Sequence, residues 1–185
     1  MIQKPSQSLF SILLVAFMAF AVVTQAYARD PVPQKNAAEF EVRFMKDMLD
    51  HHRLAIMEAE TCLEKAVSAT LRRRCENIII SRSLEIKMMQ SWLESWYGID
   101  YQPQRSRSGM RKLEKLEGAV FEMKLMDMMI RHNRQVIRVS DKCLERAYHP
   151  ELLNLCRNIA ATQTRQIERM QSWLCDWYIA CRKYL

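Results

Sequence analysis

The sequence predicts an all-α protein, a four-helix bundle built from two duplicated antiparallel helical hairpins. Three observations carry that expectation. An ungapped match at a shift of 81 residues lays Phe40–Tyr97 onto Phe121–Tyr178, and self-similarity at a fixed spacing marks one structural unit used twice. Apolar residues recur at helical spacing: Met45, Met48, Leu49, Ile56, Ala59 and Leu63, with His52 on the same face. Finally, 185 residues include only 3 Gly and 5 Pro, too little turn chemistry for a many-stranded protein or a Gly-rich phosphate loop.

Taken in order, residues 1–28 read as a signal peptide. Lys4 precedes an apolar run from Leu9 to Val23, and Ala26-Tyr27-Ala28 offers the small residues of a cleavage site. The run is short for a membrane-spanning helix, so the mature chain is expected to leave the membrane and to be periplasmic or secreted. Losing Lys4 takes the net charge from +7 to 27 − 21 = +6. Residues 29–39 form an N-terminal extension, 40–97 the first hairpin, 98–117 a linker and the start of the next helix, and 118–185 the second hairpin. A break at Val67–Thr70 supplies Ser and Thr for an N-cap, and the matching break carries His149-Pro150. Helices of about 25 residues give a bundle roughly 35–40 Å long.

Export also decides how six cysteines are read, because an even number in an oxidising compartment signals disulfides. Cys62 and Cys75 are thirteen residues apart, and so are Cys143 and Cys156. Each pair would staple one hairpin where it turns. Cys175 and Cys181 remain as a third candidate pair.

The bridges fix a register. Facing residues in an antiparallel helix pair keep a constant index sum, which Cys62–Cys75 sets at 137 and Cys143–Cys156 at 299. Met48 then faces Met89, His52 faces Glu85, and Met45 faces Trp92. In the second hairpin Met129 faces Met170 and Asn133 faces Gln166. Thioether and imidazole together suit Cu(I), a soft ion, and thioethers need no deprotonation. The second hairpin replaces His52 by Asn133 and Glu85 by Gln166, keeping polarity while losing the better ligands, although His132 survives with Met128 four residues before it. The competing reading is structural: Met fills irregular cores, His52 can simply pair with Glu85, and His51 lies toward the flank near Asp47. Met57 points away from the Met48/His52 stripe toward a separate surface, and the Trp92/Trp96 and Trp173/Trp177 pairs read as core at the bundle ends.

Two motifs add a resemblance. Phe40…Met45-x-x-Met48-x-x-His51-His52-x-x-Ala55-Ile56-Met57 resembles F…M-x-x-H-H-x-x-A-I-x-M, lacking the spacer before Met57, and Glu85-Ile86-x-x-Met89-x-x-Trp92-Leu93 resembles E-I-x-x-M-x-x-W-L. Both resemble the ferritin-like family long called a domain of unknown function, whose CopM-type members are exported bacterial copper-binding proteins. The resemblance implies Met48, His51, His52 and Met89 as copper ligands. In the second hairpin it reaches only Met129, His132 and Met170, because Asn133 and Arg138 depart from the pattern. It implies copper as Cu(I), by analogy Ag(I), as cargo, and other copper-handling proteins as partners.

Other chemistries find no support. No Glu-x-x-His pair of a di-iron bundle occurs, nor G-x-S-x-G, H-E-x-x-H or a P-loop. The positive charge is spread over helix faces and the linker without a nucleic-acid motif. The expectation is a non-enzymatic copper-sequestering protein. The rival is a disulfide-stapled interaction or chaperone-like module whose Met and Trp supply an adaptable apolar surface.

Overall fold

In the computed structural model, which describes residues 34–104 and 110–179, the chain forms four long helices and one short one. These are α1 (Lys35–Lys65), α2 (Ala69–Tyr97), α3 (Met110–Leu113), α4 (Gly118–Arg146) and α5 (Pro150–Tyr178). Among the described residues no helix is long and apolar enough to cross a membrane. The signal segment and residues 29–33 of the N-terminal extension lie outside the described residues. The long helices run to 31 and 29 residues, longer than the sequence suggested, because the three-residue hairpin turns consume little chain.

Local chemistry sets the helix ends. Ser68 caps α2, its hydroxyl accepting from the Leu71 N–H at 3.3 Å. Pro150 opens α5, where its missing N–H costs nothing. Gly98 closes α2 in the left-handed region at φ 64°. Its repeat counterpart Ile179 takes the same conformation at φ 54°, so the second copy performs with a branched residue what the first performs with glycine.

The two bridges form as the spacing required, Cys62–Cys75 and Cys143–Cys156, with Cα atoms 6.3 and 6.2 Å apart. The third candidate pair falls on Cys181, outside the described residues. Within each hairpin the antiparallel helices pack along their length, and the hairpins meet through α1 and α4. They meet head to tail. One apolar cluster joins Leu71 and the Cys62–Cys75 turn to Phe121, Leu125, Met126 and Leu174 at the open end of the second hairpin. The other joins Phe40, Phe44, Met45 and Leu93 to Leu152 and the Cys143–Cys156 turn. The repeats are therefore related by a pseudo-twofold axis through the bundle middle.

A reciprocal clasp reinforces that arrangement. Buried Glu41, near the start of α1, accepts from the backbone N–H groups of Tyr148 (2.5 Å) and His149 (2.8 Å) at the other hairpin's turn. It also accepts from the Tyr97 hydroxyl and lies 2.6 Å from His149 Nδ1. Its counterpart Glu122 accepts from the Ser68 N–H at 2.7 Å and from the Tyr178 hydroxyl. Each carboxylate satisfies orphan backbone donors at the start of a helix in the other hairpin.

Of the four tryptophans expected at the bundle ends, Trp92, Trp96 and Trp173 pack partly buried against the apolar clusters and Trp177 is exposed. Trp92/Trp96 and Trp173/Trp177 each stack, with centroids 5.1 and 4.9 Å apart. Trp96 also stacks on His149 at 3.8 Å. Met57 is likewise no isolated surface residue, for it packs against the first apolar cluster.

Candidate metal centre

Between the two apolar clusters lies a polar layer drawn from all four long helices. The index sums hold there. His52 Nε2 lies 2.5 Å from Glu85 Oε2. At the repeat-related position Asn133 Nδ2 donates to Gln166 Oε1 at 3.2 Å. Arg82, itself buried, donates to Glu85. The first hairpin thus holds a His–Glu–Arg ionic set where the second holds an amide pair.

His51 sits elsewhere than its sequence neighbours suggested. It is half-buried and makes no ion pair with Asp47, although both line the cavity between α1 and α4; its ring turns into the α1–α4 interface and meets His132, its own counterpart, with centroids 5.9 Å apart and planes at 75°. The physical reason is the pseudo-twofold axis, which brings the same position of both first helices together. Both ring nitrogens of His51 are buried and, among the described residues, neither has a hydrogen-bond partner. His132 Nδ1 lies 3.3 Å from Glu58 Oε1, and Glu58 is almost wholly buried.

The predicted ligand set is thereby divided. Met48 and Met89 share one apolar cluster with Met45, and Met129 and Met170 share the other. Met48 and His51 line one cavity between α1 and α4. Met129 lines a small pocket with both His51 and His132. The repeat-related pairs Met48/His51 and Met129/His132 flank the axis, whereas His52 and Glu85 are engaged with Arg82. Among the described residues no group of three or more His, Cys, Asp or Glu is placed to hold a metal ion.

The electrostatics separate the imidazoles. Burial, helped by the charges of His52, His132 and Arg82, pushes His51 down to about 3, so it is neutral across the physiological range. Burial also lowers His52, with Arg82 adding to it and Glu85 opposing. His132 moves the other way, because its contact with Glu58 outweighs burial. Glu85 is raised by burial but lowered further by His52 and Arg82, and stays ionised. A neutral, unpartnered imidazole beside thioethers has the donor chemistry that a soft monovalent cation requires.

Glu58 and Arg82 were missed in the sequence. Arg82, three residues before Glu85, carried a readable signal as an i,i+3 pair. Glu58 carried none, because its partner lies in the other hairpin.

Residues 41–174 match the family described as Domain of unknown function (DUF305). No curated protein sequence matches the chain. Among solved structures, CopM in the Cu(I)-bound form is similar at 27% identity and a TM-score of 0.69, covering 75% of this chain and 97% of that one. CopM in an Ag-bound form is similar at 26% identity and 0.69, covering 75% and 96%. A DUF305 fragment from Deinococcus radiodurans is similar at 26% identity and 0.67, covering 75% and 97%.

Proposed function

This chain belongs to the DUF305 family, and on that premise we propose that it is an exported protein binding Cu(I), and Ag(I) by the same soft chemistry, for sequestration without catalysis. The observation that carries the reading is the buried His51 ring, neutral and unpartnered, facing His132 with Met48 and Met129 on either side. The similarity to CopM structures holding Cu(I) and silver supports it. The two disulfides and the sequence of residues 1–28 support export. His51 supplies an imidazole that need not lose a proton or a hydrogen bond before it ligates, Met48 and Met129 supply sulfur, and His132 must first give up its Glu58 contact. His52, Glu85 and Arg82 hold α1 against α2 and fix the His51 backbone beside them.

Competition against a chromogenic Cu(I) chelator, under ascorbate so that the bridges survive, tests the reading. The wild-type chain should withdraw copper from the chelator. His51→Ala, and the double change Met48→Leu/Met129→Leu, should each weaken binding about tenfold or more while leaving helix content intact, since Leu keeps Met's volume. No withdrawal by the wild type, or unchanged affinity in both variants, would overturn it. The interaction-module reading rests on a different observation, the exposed stripe Ile80, Leu84 and Met88 on the outside of α2; it requires client binding that copper does not alter.

A further inference from the structure

The pseudo-twofold axis creates two equivalent grooves between α1 and α4, and the chain treats them differently. Beside Phe121 and Leu125 the groove is filled. Met110 and Leu113 of α3, both buried, join that cluster, and Lys65 donates to the carbonyls of Glu114 (2.6 Å) and Leu116 (3.3 Å). The filled groove therefore holds an apolar plug whose oxygen atoms are fastened by a cation at the rim.

At the equivalent place beside Phe40 and Phe44 lies a cavity of about 380 Å³, within the range of small-molecule sites. Its apolar wall is Phe40, Phe44, Met48, Val136 and Val139. The counterpart of Lys65 there is Arg146, and Arg43 and Lys142 stand on the same rim against a single acid, Asp47. Arg146 lies over the Phe40 ring at 4.5 Å, and none of the three cations forms an ion pair among the described residues. The unpartnered His51 ring also lines the cavity. An apolar wall, an excess of rim cations and a buried unsatisfied imidazole together select an amphipathic anion.

We propose that this groove binds a small amphipathic anion, its alkyl or aryl body against Phe40, Phe44, Val136 and Val139 and its carboxylate or sulfonate held by Arg43, Lys142 and Arg146. The filled groove shows the same division of labour made with the chain's own atoms. The groove shares Met48 and His51 with the proposed metal site, and the anion takes its Phe40 and Val139 side beneath the rim cations, so this is a second function of the same cavity.

Calorimetric titration of the full, metal-free chain with octanoate tests this independently of copper. Saturable one-to-one binding is expected, with octan-1-ol and inorganic sulfate each about tenfold weaker or more, because one lacks the charge and the other the apolar body. Val139→Phe, which fills the groove, should abolish binding with an unchanged melting temperature. Arg43→Gln/Arg146→Gln, on exposed side chains, should weaken octanoate about tenfold or more and leave octan-1-ol unchanged. Absence of saturable octanoate binding, equal binding of octan-1-ol, or indifference to both variants would overturn the proposal. So would binding to phosphatidylglycerol vesicles without binding of free octanoate, which would point to the outer surface instead.

Discussion

His51 should make the metal-free protein acid-sensitive in a way that one substitution removes. Its ring protonates near 6.5 in an unfolded chain and only near about 3 in the fold. The folded value is the lower one, so on acidification the unfolded state takes up the proton first. The resulting loss of stability begins as pH falls below about 6.5 and stops growing near 3. At pH 5 about one and a half units separate the unfolded pKa from the medium, and at about 1.4 kcal/mol per unit the loss is about 2 kcal/mol. Urea unfolding followed by circular dichroism at pH 7 and pH 5, bridges oxidised, measures it. His51→Gln keeps a polar side chain of similar bulk that does not titrate. The wild type should lose about 2 kcal/mol more over that interval than the variant does. Contributions from Glu41, Glu85 and His132 are common to both chains and drop out of the difference. Equal losses would refute the reasoning, since they would mean that His51 is solvated or partnered in solution.

Further outcomes follow from the clasp and from a helix end. Glu41→Ala should cost about 3–5 kcal/mol in the same unfolding assay, and more than Glu122→Ala, because Glu41 serves two backbone N–H groups and His149 besides a tyrosine. Bonds from Tyr97, His149 and Tyr148 overcome burial and hold Glu41 below 4.5, so its contribution is complete above that pH and disappears as pH falls through the folded value; Glu41→Gln should flatten that acid limb. Ile179→Gly should stabilise the protein by about 1 kcal/mol, read as a rise in melting temperature, because a branched residue at φ 54° gives way to one that accepts it.

What the sequence revealed follows the range of each interaction. Facing pairs inside a hairpin, His52 with Glu85 and Asn133 with Gln166, depend only on helical rise and one fixed contact, so a disulfide spacing was enough to place them. The ends of α2 and α5 were legible because Ser68, Gly98 and Pro150 act locally. The His51–His132 meeting was not legible, since it depends on how one hairpin is rotated against the other, which helical periodicity leaves open. For that reason helical spacing alone puts His51 on the flank and gives no sign of Glu58. The filling of one groove by α3 was hidden too, because Met110 and Leu113 form too short an apolar signal to stand out within a basic linker.

The clasp has a bearing on what half of this molecule could do. A single hairpin carries both components, a carboxylate at the start of its first helix and a turn whose N–H groups need one. They sit at opposite ends of a helix, and Glu41 and Ser68 are 27 positions apart, or about 40 Å at helical rise. No hairpin can therefore fasten to itself. Two identical hairpins laid head to tail satisfy each other fully, which makes the paired arrangement self-contained before any covalent connection exists. The segment between Gly98 and Glu117 contributes the Met110 and Leu113 plug but no part of the clasp, so a chain opened there keeps both carboxylate–turn contacts.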